Sequence, residues 1–290
     1  MDFLQTILLG VIQGLTEFLP ISSTGLIQFA EHILRIQGST EFLNIFLHAG
    51  TLVAIMITMQ RDISRLCGEA ARMVRDIFVN ARLMVRGMKK HEEPRYIRIV
   101  TSNYRQLVML VICATIPSAL AAILLRKAAS ISISSPMYSG VGMLLTGVLL
   151  LVADKVPVGE KVPKDITWLQ GVLIGLVQGT SVISGVSRMG LVLVCGILLG
   201  FNRKLAVRFS YLLSIPLVAG ALLTQVGKIP VLARSPRYAF VCLVGAAFAF
   251  LAGYLTIQVS SKLVREARLW TFALWSFLAG VVIILTSYFL

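Results

Sequence analysis

Charge is what this sequence has least of. Charged residues make up 14% of the 290, and hydrophobic residues 57%. The usual charged share is about a quarter. A soluble chain so composed would run out of polar residues for its water-facing shell. That excludes a soluble enzyme, a disordered chain and a coiled coil, and leaves a polytopic membrane protein. Cysteine is scarce too. Cys67, Cys113, Cys195 and Cys242 lie far apart with no CxxC pairing, which speaks for small apolar side chains over disulfides or metal ligands. No Lys or Arg precedes the first apolar run, which starts MDFLQ. A signal peptide would have a basic start, so this segment is expected to stay in the mature protein. Acids are few, 13 against 27 Lys and Arg, and the net charge is +14.

A hydrocarbon core about 30 Å thick needs roughly 20 apolar helical residues. Six stretches fit one span each: 42–59, 106–125, 137–153, 205–227, 238–259 and 269–290. Two runs, 3–30 and 166–200, are too long for one span and are interrupted by Gly and Ser, the first also by Pro20. One interruption carries Glu17, the other Arg188. Irregular backbone at membrane depth survives only under cover of protein or a wet cavity. Both runs therefore read as re-entrant helical hairpins.

The cations set the orientation. Eleven of them lie in 61–105, and placing that loop in the cytoplasm puts nineteen inside and six outside, as the positive-inside rule asks. Both termini then face outside. Arg61, Arg65, Arg72, Arg75, Arg82 and Arg86 have helical spacing, which predicts an amphipathic surface helix beside anionic lipid. No nucleic-acid motif accompanies the charge, and nucleic acid is not expected as a partner. His91 belongs to this loop and reads as solvated.

The two broken runs are copies. Segment 8–26, LLGVIQGLTEFLPISSTGL, aligns without a gap on 173–191, LIGLVQGTSVISGVSRMGL, with seven of 19 positions identical. Chance would give roughly one or two matches, so this is an internal repeat. Three spans follow each copy, so the second enters the membrane upside down. The expected fold is an all-α polytopic membrane protein with an inverted-topology repeat, residues 1–153 and 154–290, of six spans and two re-entrant hairpins. In such architectures the site lies where the broken elements meet.

An ionisable residue inside the membrane is costly and points to function. Gln13 and Glu17, one helical turn apart, would position a water or a divalent cation such as Mg²⁺ or Ca²⁺; a structural pair between Glu17 and Arg188 is compatible with that role. Ser22, Ser23 and Thr24 offer consecutive hydroxyls suited to phosphate oxygens. Their counterpart, from Ser184 to Gly190, contains Ser187 and Arg188, whose fork can grip phosphate bidentately. Helix capping is the bland alternative for the serines. The ligand such a pocket suits is an amphiphile with an anionic head and an apolar tail.

At these residues the sequence resembles the undecaprenyl-diphosphate phosphatase family, the bacitracin-resistance type of integral membrane phosphatase. Gln13-x-x-x-Glu17 is similar to that family's (E/Q)xxxE motif and 184–190 to its PGxSRSG motif. The likeness continues through 45–55 and 203–221. It implies Mg²⁺- or Ca²⁺-assisted removal of the terminal phosphate from a polyprenyl diphosphate, recycling the carrier for cell-envelope glycan synthesis. Glu17 and Gln13 would then position water or metal. Ser22, Ser23 and Thr24 would contact phosphate, with Ser23 a candidate nucleophile, and Arg188 with Ser187 would clamp the diphosphate. The implied partners are the lipid substrate, anionic lipid at the basic loop and, as an open option, a second copy of the chain.

Three positions depart from the family pattern. Its His after SSTG is Leu26 here, its Pro is Ser184, and its second Ser is Met189. Loss of a general base takes roughly 10²–10⁴ from a rate. His48, in a membrane segment, is the better substitute as a catalytic residue; His32 lies near the outer interface. The alternative function is a polyprenyl-phosphate flippase on the same scaffold, and a small-ion transporter ranks behind it.

Overall fold

The computed structural model describes residues 2–36, 40–90, 95–157, 159–225, 236–266 and 268–289. His91, Lys228 and Arg234 lie outside the described residues. The described chain is all-α. Its helices are α1 (Phe3–Glu17), α2 (Ser23–Ile33), α3 (Glu41–Thr58), α4 (Gln60–Lys90), α5 (Asn103–Leu124), α6 (Arg126–Ile133), α7 (Pro136–Asp154), α8 (Trp168–Gly179), α9 (Arg188–Leu198), α10 (Arg203–Gln225), α11 (Pro236–Glu266) and α12 (Leu269–Phe289). Six of them, α3, α5, α7, α10, α11 and α12, are long and apolar enough to cross a membrane. They match the six expected spans to within a few residues at most ends, and the chain is a multi-pass membrane protein.

The two broken runs each fold as a pair of short helices. The 15 residues of α1 and the 11 of α2 reach about 22 and 16 Å, too little to span alone. Pro20, which cannot continue a helix, lies in the first interruption. The second contains Gly185 at φ +85°, where a Cβ would also collide with the Ser139 carbonyl. Only glycine fits there.

Packing between the halves is reciprocal. The most extensive contacts are α7 on α12, α1 on α11, α3 on α11 and α5 on α8. Thus the first helix of each broken pair lies on a long helix of the other half. Small residues allow the approach, as they do between helices in lipid. A Cβ at Gly14 would stand 2.6 Å from the Ala249 carbonyl, and one at Gly179 2.7 Å from the Ser118 carbonyl. Gly14 and Gly179 are counterparts in the repeat.

One local expectation is met and two need correction. The helix expected from the arginine spacing in 61–105 is present, as α4 runs 31 residues through that segment. The span expected over 238–259 runs on past its expected end, since α11 continues to Glu266. Ser260–Glu266 holds no Gly or Pro to stop it, and Lys262 favours the negative end of the helix dipole. Cys67 is exposed, although Cys195 and Cys242 are buried.

Candidate functional site

Glu17 is the last residue of α1 and Arg188 the first of α9. The helix α2 begins at Ser23. The two interruptions bring these three ends together. Each second helix starts with the same cap: Ser22 Oγ accepts from Gly25 N at 3.2 Å, and Ser187 Oγ accepts from Gly190 N at 3.1 Å. Helix N-termini carry partial positive charge and free N–H groups, so two of them flank the same small space.

The Glu17 carboxylate sits between the halves. Its Oε1 accepts from Arg188 Nη2 at 2.8 Å. Its Oε2 accepts from Ser23 Oγ at 2.6 Å and from Gln13 Nε2 at 3.1 Å. The Glu17 side chain is 8% exposed and that of Arg188 19%. Gln13 Nε2 also lies 2.9 Å from His48 Nδ1. An amide NH₂ can only donate, so His48 Nδ1 accepts and the neutral ring carries its proton on Nε2.

A cavity of about 20 Å³ opens at this pair, lined by Glu17, Ser22, Ser23, Thr24, Ser187 and Arg188 among others. That volume suits about one water. Of the residues expected at the site, Gln13 and His48 do not line it; they stand behind Glu17. Ser22 and Ser187 reach the wall, but their hydroxyls already serve as caps. His32 lies at the far end of α2. Leu26 and Met189 put no polar group into the cavity.

Sequence reasoning missed four contributors. Ser181 lines the cavity; its repeat counterpart is Thr16, a weak signal. Tyr211 Oη donates to the Phe18 carbonyl at 3.1 Å and lies 2.8 Å from Ser260 Oγ, fixing the backbone next to Glu17. Gln28 Oε1 accepts from both Ser139 Oγ and Ser184 Oγ, and Thr146 Oγ1 accepts from Ser187 N at 3.1 Å. This network ties the second interruption to α2 and α7, and Ser184 joins it through its hydroxyl.

At the cavity the Glu17 carboxylate is the one oxygen donor of the expected pair that could serve a cation; Gln13 Oε1 is buried without a hydrogen-bond partner but lies behind Glu17, away from the cavity wall. No group of three or more His, Cys, Asp or Glu among the described residues is arranged to hold a metal. Mg²⁺ commonly takes one or two carboxylates and fills its shell with water and substrate phosphate. One carboxylate at the cavity fits an ion held in that way.

The model of the family described as bacitracin resistance protein BacA matches residues 6–282. A protein of Alkaliphilus metalliredigens named undecaprenyl-diphosphatase is 32% identical over 99% of both chains. A protein of the same name from Methanosphaera stadtmanae is 33% identical, again over 99% of both. Another from Rubrobacter xylanophilus is 32% identical over 96% of this chain and 95% of its own. With a match of this extent, the chain belongs to the BacA family.

Proposed function

We infer that the chain hydrolyses undecaprenyl diphosphate to the monophosphate and inorganic phosphate, and so returns a lipid carrier to cell-envelope glycan synthesis. One observation carries the chemistry: Ser23 Oγ donates to Glu17 at 2.6 Å while Arg188 holds the other carboxylate oxygen. A hydroxyl on a base beside a guanidinium is a nucleophile–base pair next to a phosphate clamp.

The resting cavity is too small for a diphosphate. The entering phosphate competes with Glu17 for Arg188, and the exchange frees Glu17 to act as base. Ser23 Oγ attacks the terminal phosphorus, and the bond to the bridging oxygen breaks. Glu17 takes the Ser23 proton and passes it to the departing lipid phosphate. Water then attacks the phosphoserine, Glu17 takes its proton, and Ser23 leaves with that proton restored. The N-termini of α2 and α9 stabilise the charge on the transferred group. Gln13, backed by His48, holds the carboxylate in register. A bound Mg²⁺ or Ca²⁺ would be held by Glu17 and the substrate, with Gln13 behind the carboxylate, and would neutralise phosphate charge. Charge bias favours both termini outside, with 61–105 in the cytoplasm beside anionic lipid.

Phosphate release by the purified chain in detergent tests this reading. Ser23→Ala and Glu17→Gln each lower the rate by about 10²–10⁴, and acid quench of the native chain traps labelled phosphoserine. A wild-type rate in Ser23→Ala would remove the nucleophile. Lipid movement across vesicles with no phosphate release from the native chain would favour the flippase.

A further inference from the structure

Only Met59 separates α3, a membrane-spanning helix, from α4, so α4 starts at the membrane surface. One side of α4 is a polar seam. Asp62 accepts from Arg208 at 2.6 and 2.9 Å, and Arg105 donates to Glu69 at 3.0 Å and to Asp76 at 2.7 Å. Asn80 exchanges two hydrogen bonds of 2.8 Å with the Ile97 backbone. Spacings of seven, seven and four keep these four residues on one face. They fasten α4 to α10, to α5 and to the returning segment 95–102.

A second side, turned away from the seam, carries Val74, Ile77, Phe78, Val85 and Met88, spaced for a single helical stripe. All are about half exposed or more, up to 65% for Phe78 and 73% for Met88. None belongs to the packed core or is among the residues packed against it. An apolar stripe of this length is not left to water without reason. From Ile77 to Lys90 the helix has four cations, Arg82, Arg86, Lys89 and Lys90, and no acid. A second copy set stripe to stripe would bring two such cationic clusters together. An anionic leaflet neutralises them.

We propose that residues 74–90 of α4 lie in the headgroup–acyl boundary of an anionic lipid leaflet, with the Val74–Met88 stripe in the acyl region and Arg82, Arg86 and Lys89 on lipid phosphates. An interfacial helix of this kind sits about 5–10 Å into the boundary, and each cation near the surface adds to the attraction. The proposal rests on the membrane and orientation reading above and is independent of the hydrolytic chemistry.

The test uses the full chain with Cys67→Ser, a fluorophore attached at Phe78→Cys, Val85→Cys or Arg72→Cys, and vesicles whose acyl chains carry a quencher. In vesicles containing phosphatidylglycerol, labels at 78 and 85 are quenched several-fold more than the label at 72. Arg82→Gln with Arg86→Gln weakens that quenching, as do vesicles of phosphatidylcholine alone. Equal quenching at 72 and 78 would overturn the proposal. So would cross-linking of two copies through Phe78→Cys with no quenching, which would assign the stripe to a second chain. Phosphate release is measured on the same samples. Its loss bears on the hydrolase reading and leaves the quenching result to decide this one.

Discussion

Arg188→Met separates the two jobs given to the Glu17–Arg188 pair. Glu17 is 8% exposed and has three hydrogen-bond donors, of which Arg188 alone is charged. Methionine keeps the unbranched stem of arginine and removes the cation. The carboxylate then keeps two neutral donors and a cavity that suits about one water. Breaking a buried ion pair by removing one partner costs about 3–5 kcal/mol. Against a typical net stability of about 5–15 kcal/mol, that is a large, measurable loss. Adding Glu17→Gln removes the stranded charge, so the double variant recovers most of the stability, a coupling of about 2–3 kcal/mol within the range for contacting residues. Activity behaves otherwise. Loss of the phosphate clamp lowers phosphate release by about 10²–10³, and the double variant stays inactive. Thermal unfolding in detergent, followed by tryptophan fluorescence, reads the first quantity; released phosphate reads the second. If Arg188→Met unfolds at the native temperature, or the double variant is no more stable than the single one, Glu17 does not depend on Arg188 as argued.

Four other outcomes follow from the same contacts. Tyr211→Phe strands the Phe18 carbonyl, which costs about 1–3 kcal/mol, and lowers kcat with little change in KM, read by steady-state phosphate release. Ser187→Ala and Ser22→Ala each lose a helix cap, about 1 kcal/mol in thermal unfolding; a raised KM at unchanged stability would instead make them direct phosphate ligands. Gly14→Ala drives a Cβ to 2.6 Å from the Ala249 carbonyl and the Gly253 nitrogen, and overpacking of this kind costs about 1–3 kcal/mol, seen as earlier thermal unfolding. The hydrogen bond from Arg105 holds the Asp76 carboxyl below the usual carboxylate range. Its contribution is therefore complete above that range and fades as pH falls through the lowered value. The protection of amides 72–80, taken relative to the intrinsic exchange rate at each pH, falls in acid, and Asp76→Asn flattens that dependence.

How much of this is legible in the sequence depends on distance along the chain. Span positions follow from the lengths of apolar runs, a local property, and they match within a few residues at most ends. Glu17 and Arg188 stand out as charges in apolar runs, so the centre of the site is visible too. Their partners are less so. Ser22 and Ser187 look like phosphate ligands because a cap and an anion site use the same hydroxyl, and only the Gly25 and Gly190 N–H positions show the cap. His48 looks like a spare base, yet its free ring nitrogen is taken by Gln13. Asp62, Glu69 and Asp76 are seven residues apart and readable as one helix face. Nothing local reveals that Arg105 and Arg208 complete the seam.

The repeat itself separates scaffold from chemistry. At one offset, Gly10 matches Gly175, Gln13 matches Gln178, Gly14 matches Gly179, Ser22 matches Ser187 and Gly25 matches Gly190. These positions build close helix contacts, caps and buried amides in both halves. The positions proposed for the chemistry diverge: Glu17 faces the register of Val182, Ser23 that of Arg188, Thr24 that of Met189 and His48 that of Leu213. Physical chemistry demands the divergence. Two facing copies of Glu17 would repel and raise one another's proton affinity, and two copies of Arg188 would leave a buried cationic pair with no counter-ion. A phosphate site at the junction needs one acid and one cation, so each half supplies one. Glu17 accepts from Ser23 and from Arg188, the same register position taken once from each half. The asymmetry is therefore made chiefly at two register positions, Glu17 against Val182 and Ser23 against Arg188, while the glycines, caps and glutamines around them remain symmetric.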